Sequence, residues 1–306
     1  MDFSEILRDL LVTPSTTTST QYHHREIYAP IDNNKKLCLS LSHGNSVHEI
    51  FFTEWINQFL QKYISSIQPY GYVYSDLFHK SWDIYRKLLN PIYANNTLLT
   101  KQCLHIIDIS VILQEILLSN RLEENRNNSN LDVNTGDIIK RYIKDKMDEL
   151  LNNTTALDHS KSIQQNIGIF IDNISSLYDL GVSLRELEYL LSNWFYSPDS
   201  NTNISNLLVS IGVHVGENFQ DSITSEFEPG FIHFIDLWRS RASIILESKP
   251  LTTGYTSLID GQLICWKRST LDRLNCKNNI TSSVYHFHVE GKRINCYTPG
   301  TSKLLT

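Results

Sequence analysis

The sequence predicts an α/β chain with a mainly parallel central sheet, flanking helices and a C-terminal antiparallel β meander. Three observations predict it. Ile167-Gly168-Ile169-Phe170-Ile171-Asp172 is an apolar run closing on an acid, which reads as a buried strand with a carboxylate at its C-terminal tip. Upstream, Lys36–Ser42 reads as a strand, His43-Gly44-Asn45-Ser46 as a loop, and Val47, Ile50, Phe51, Trp55, Phe59 and Tyr63 as one helical stripe; together they open a βα unit. Beyond residue 242 the pattern changes to short alternating strands separated by turn residues.

Taken in order, Phe3, Ile6, Leu7, Leu10 and Leu11 have helical spacing, and Thr13–Thr20 is a Ser/Thr/Pro linker. Residues 1–35 thus form an N-terminal helix and linker within one domain spanning 1–306. Tyr70–Asn90 is an aromatic-rich strand-loop-helix connection, and Cys103–Leu118 mixes an extended run with a helix. Residues 123–137 are polar, asparagine-rich and of low complexity, a disordered surface insertion. Asp137–Leu151 is an amphipathic helix. After the acid-tipped strand, Ser183 with Glu186 three residues on forms a capping box for a helix running to about Tyr196. Asn206–Val215 is a second buried strand, Phe231–Ser240 a helix and Ala242–Glu247 a strand. The tail reads as strands Gly261–Lys267, Val284–Val289 and Lys292–Tyr297, with Glu290-Gly291 as the turn between the last two.

Composition bounds the function classes. The 306 residues are 41% hydrophobic, enough for one large or two small domains, and the formal charge is −6. That charge is uneven. From Asp236 onward there are ten Lys/Arg and five Asp/Glu, a net +5, which leaves −11 for the first 235 residues. A basic C-terminal part on an acidic chain points to an anionic partner. The start Met-Asp-Phe-Ser-Glu-Ile-Leu is an acidic amphipathic helix, not a secretory leader, and no apolar run reaches the roughly 18 residues of a membrane span. Five cysteines without C-x-x-C spacing read as reduced thiols, which places the protein in the cytoplasm or the nucleus.

The chemistry-bearing positions are few. An acid at a strand tip is where a nucleotide hydrolase of the RecA-like kind holds Mg²⁺. Such an enzyme also needs G-x-x-x-x-G-K-[ST], whose backbone cradles phosphate while Lys neutralises it and Ser/Thr binds the metal. The corresponding segment here is His43-Gly44-Asn45-Ser46-Val47-His48-Glu49, with one glycine, no lysine and an acid that repels phosphate. Gly44, Ser46 and Asp172 are therefore positions of a degenerate nucleotide site, and Asp172 reads as a strand-end or cap carboxylate. His23 and His24 are adjacent and share no helix face, and His286 and His288 alternate along one strand face; both pairs read as surface histidines. No catalytic residue, metal ligand or cofactor is expected. Arg239, Arg241, Lys267 and Arg268 are candidate RNA contacts, with Trp266 as a stacking surface or an ordinary half-buried strand residue.

Four segments resemble one family, the Elongator complex protein 6 family. They are Met1–Leu7 through Thr13-Pro14; the loop after Leu37–Ser42; Ile169–Leu177 with Leu180-Gly181; and, most specific, Leu251–Thr256, Asp260–Leu263, Trp266-Lys267-Arg268 and Val284–Val289. The resemblance implies a RecA-like subunit without working nucleotide motifs. It implies a hetero-hexameric ring with Elongator complex proteins 4 and 5, docked on the catalytic Elongator subunits, that binds tRNA during wobble-uridine modification. The expected role is structural and RNA-contacting, not enzymatic, with no membrane partner. Two other classes stay open: a RecA-like recombination mediator binding single-stranded DNA, and a small-molecule enzyme using Asp172.

Overall fold

The computed structural model describes residues 1–11, 35–43, 48–64, 71–76, 87–89, 104–107, 113–114, 136–145, 165–196, 204–215, 229–251, 258–268 and 280–300. Its elements are α1 (Phe3–Leu11), β1 (Lys35–His43), α2 (His48–Ile64), β2 (Gly71–Asp76), β3 (Leu104–Ile107), α3 (136–145), β4 (Gln165–Ile171), α4 (Ile174–Asp179), α5 (Leu184–Tyr196), β5 (Ile204–Val215), α6 (Pro229–Arg241), β6 (Ile244–Lys249), β7 (Gly261–Arg268), β8 (Ile280–Glu290) and β9 (Arg293–Tyr297). The linker at 13–20 lies outside the described residues. So does the insertion at 123–137, except for Gly136 and Asp137, which open α3.

The nine strands described form one sheet in the order β3-β2-β4-β5-β1-β6-β7-β8-β9. β1 to β6 are parallel and β6 to β9 pair antiparallel. One strand, β5, is inserted between β1, which leads into the loop, and β4, which ends beside the acid. This is the RecA-like arrangement, so the expected fold class is the one observed. The position of β2, between β3 and β4, was not legible from its sequence.

The two faces of the sheet carry separate cores because side chains alternate along every strand. On one face Leu37, Leu39, Leu41, Ile169, Ile171, Val209 and Ile211 pack against α3, α4, α5 and the Phe231, Phe234 and Trp238 stripe of α6. On the other, Cys38, Leu246, Leu263, Cys265, Phe287 and Ile294 pack against α1 and α2. Phe3 meets Phe51 edge-on at 4.7 Å, and Phe51 meets Phe287 at 5.2 Å, so α1, α2 and β8 share one aromatic contact chain. Each such ring, fully buried, stabilises by about 1.5–3 kcal/mol. Met1 and Asp2 extend this layer to the sheet edge, where the Cys296 amide donates to the Met1 carbonyl at 2.8 Å.

The local chemistry explains most boundaries. Ser183 and Glu186 form the expected capping box: the Ser183 amide and hydroxyl donate to Glu186 Oε2 at 3.1 and 2.8 Å, and the Glu186 amide donates back at 3.4 Å. Two expectations need correction. The last hairpin turns at Gly291-Lys292, not Glu290-Gly291, because Glu290 pairs with Arg293. Gly291 has φ +62°, a left-handed conformation that suits glycine in a tight turn. Ala242 belongs to the end of α6, its amide donating to the Trp238 carbonyl at 2.9 Å, so the next strand starts at Ile244 rather than Ala242.

Candidate functional site

The parallel strands deliver their C-terminal ends to one edge, where ligands of open α/β sheets bind. β4 brings Asp172 there, β1 brings His43 and β5 brings Val215. Gly44 and Ser46 lie outside the described residues. Asp172 is 0% exposed. The helix that follows is capped not by this carboxylate but by Asn173, whose Oδ1 accepts the Ser175 amide at 3.2 Å and hydroxyl at 2.6 Å. The same oxygen accepts the His214 amide at 3.2 Å, tying the tip of β4 to β5. Packing here is tight: a Cβ on Gly212 would stand 1.8 Å from the Asp172 carbonyl oxygen. Asp172 is thus enclosed at a strand end. Among the described residues, no group of three or more His, Cys, Asp or Glu is placed to hold a metal ion.

A second place lies where α6 ends against the meander. Here a concavity of about 380 Å³ is lined by Asp236, Arg239, Ser240, Ser243, Trp266 and Arg268, with Ile280 at its rim. Arg239 sits over the Trp266 ring at 5.6 Å, a cation–π distance, and its Nη2 is 3.7 Å from Glu247 Oε2. Arg268 donates through Nη1 to the Ser240 carbonyl at the end of α6. Glu247 in turn lies 2.9 Å from His43 Nε2, with both side chains almost enclosed. Burial pushes the Glu247 carboxyl up, but the hydrogen bond with His43 and the charges of His43, Lys249 and Arg239 outweigh it, so the net direction is down. A chain of contacts therefore runs from the end of β1 through Glu247 and Arg239 to Trp266.

The structure brings together Arg239, Arg268 and Trp266 but not the other two candidates. Lys267 neighbours Trp266 in sequence and so points to the opposite sheet face. Its ammonium donates to the Asp9 carbonyl at 3.1 Å, capping the C-terminus of α1. Arg241 leaves α6 on another side, 3.6 Å from Glu188 and 5.1 Å over Trp238. His43, Asp236, Ser243 and Glu247 were not singled out from sequence. The one available signal was Glu247, a carboxylate closing an otherwise apolar strand run. The histidines of β8 are half-buried; His288 Nδ1 lies 3.0 Å from Asp260, whose Oδ2 also accepts the Val289 amide at 2.6 Å. Cys265 and Cys296 are thiols pushed up to about 12 by burial, and Cys38 is raised further by the same cause. Among the described residues no helix is long and apolar enough to cross a membrane.

No family model matches the chain, and no curated protein matches it. Among solved structures it is similar to a KaiC-like protein of the hyperthermophilic archaeon Pyrococcus horikoshii, at 12% identity and TM-score 0.42 over 85% of this chain and 88% of that one. It is also similar to the flagellar accessory protein FlaH of Methanocaldococcus jannaschii, at 11% identity and TM-score 0.40 over 85% and 88% of the two chains. At that level of similarity, the assignment of the fold rests on the strand order itself.

Proposed function

We propose that this chain is a non-catalytic RecA-like subunit of a hetero-hexameric ring with Elongator complex proteins 4 and 5, and that it supports tRNA binding during wobble-uridine modification. What supports the reading is a RecA-like sheet whose expected phosphate-binding segment lacks the residues of a working nucleotide site. The segment after β1 has one glycine and no lysine, and the acid after β4 is enclosed at 0% exposure. Nucleotide hydrolysis needs both halves. What such a chain retains is a scaffold with edges and faces for neighbours.

The arrangement of the C-terminal segments supports this. Asp260–Leu263 and Val284–Val289, distant in sequence, pair directly: Gly261 with Phe287, Gln262 with His286 and Leu263 with Tyr285. Two of the segments that carry the family resemblance thus lie side by side in the sheet. Beside it, the concavity sets two guanidiniums and an indole on one face, an arrangement suited to phosphate and a stacked base. The test is affinity purification of the tagged chain at native level. Elongator complex proteins 4 and 5 in equal amounts are the expected result. Recovery of recombination proteins instead would assign the chain to the mediator class and remove the tRNA role.

A further inference from the structure

We propose that Glu247 is a positioning residue for Arg239, and that proton uptake by His43 releases this arginine to an anionic ligand in the concavity. The inference rests on the reading that this concavity meets RNA. Its basis is the geometry of one carboxylate serving two partners: Oε1 lies 2.9 Å from His43 Nε2 and Oε2 lies 3.7 Å from Arg239 Nη2. The Glu247 side chain is 13% exposed and His43 11%, whereas Arg239 is 41% exposed and can turn toward solvent.

The charged groups around the carboxylate define the balance. β1 supplies His43, α6 supplies Arg239 and β6 itself supplies Lys249; the β7 residue paired with Glu247 is the apolar Ile264. Asp236 and Arg268 line the same concavity as Arg239. With His43 neutral, Glu247 keeps a full negative charge beside Arg239 and competes with phosphate for its guanidinium. With His43 protonated, a cation at hydrogen-bond distance matches that charge, and the hold on Arg239 weakens. RNA phosphates stay anionic throughout, so affinity rises once His43 carries a proton. Arg239 also lies on Trp266, so its release changes the surroundings of that indole.

The experiment uses the full chain with a fluorescently labelled RNA hairpin at pH 7.5 and pH 5.5, comparing wild type, His43→Gln and Glu247→Gln. Glu247→Gln is expected to bind about two- to fivefold tighter than wild type at pH 7.5, the size of one exposed ion pair. The gain in affinity on acidification is expected to be smaller by about the same factor in His43→Gln. An acidification gain in His43→Gln as large as in wild type overturns the proposal, and this variant decides even where Glu247→Gln fails to fold. A second readout needs no RNA: the indole N–H resonance of Trp266, assigned with Trp266→Phe, is expected to titrate in wild type and to stay fixed in His43→Gln. A resonance that does not titrate overturns the coupling. A titrating resonance in a chain that binds RNA at neither pH supports the coupling and removes the RNA reading instead.

Discussion

Gly212 decides how closely β4 and β5 meet at the strand-end edge. A methyl group there would stand 1.8 Å from the Asp172 carbonyl oxygen, 2.8 Å from its carbon and 3.0 Å from the Ile171 carbonyl oxygen. These are backbone atoms, so no side chain can rotate away, and the strands must separate. Separation would also stretch the Asn173 link to the His214 amide, 3.2 Å long, which holds the same two strands. Gly212→Ala is therefore expected to cost about 3 kcal/mol, at the upper end of overpacking penalties. Urea unfolding checks this. A midpoint shift equivalent to less than about 0.5 kcal/mol would mean that the backbones do not approach this closely.

At the scale of the element, α5 shows how a local sequence signal becomes a tertiary contact. Ser183 and Glu186 cap the helix, and Lys140 of α3 donates to the same Glu186 side chain. That hydrogen bond is the largest influence holding the Glu186 carboxyl below its ordinary range; burial opposes it, and the bonds from Ser183 assist. A depressed carboxyl stabilises the fold fully above its unfolded value, about 4.3, and that stability is lost as the pH falls through the folded value. Glu186→Gln should thus lower the urea midpoint at pH 7, with the difference from wild type shrinking toward pH 3. A difference independent of pH would assign the loss to packing. The capping box was legible because its signature is four residues long. The neighbouring cap at Asn173 was not, because Asp172 and Asn173 are both good caps side by side and only the folded geometry, with Asn173 Oδ1 on the Ser175 amide, decides between them. The hairpin turn was placed one residue early for a similar reason: glycine marks a turn without fixing which of its central positions it fills.

For the whole molecule, alternation and apolar runs were enough to predict a parallel sheet with an antiparallel tail, because burial on each face writes its period into the chain. Strand order was less legible, since β2 and β3 gain their places through partners far away in sequence. The candidate basic surface shows the same divide. Four cations near the C-terminus suggested one patch, yet strand alternation alone sets Lys267 opposite Trp266 and Arg268, and that much could have been read from adjacent positions. What the sequence did not contain was the destination of Lys267, the C-terminus of α1, 258 residues away in the chain. The four cations therefore separate into two pairs with different consequences. Arg239 and Arg268 line the concavity, so their double alanine variant should reduce the dependence of RNA affinity on salt by about 0.7 to 1 unit of log–log slope for each phosphate that is no longer neutralised. Arg241 and Lys267 engage Glu188, Trp238 and Asp9, so their double alanine variant should leave that slope unchanged and lower thermal stability instead, since α1 is deprived of a favourable charge at its C-terminus. The measurement is the affinity for one RNA across a series of salt concentrations, with thermal melts of the same proteins. Equal slopes for the two variants would mean that the concavity does not set the RNA-facing side, and so would a reduced slope only for Arg241→Ala/Lys267→Ala.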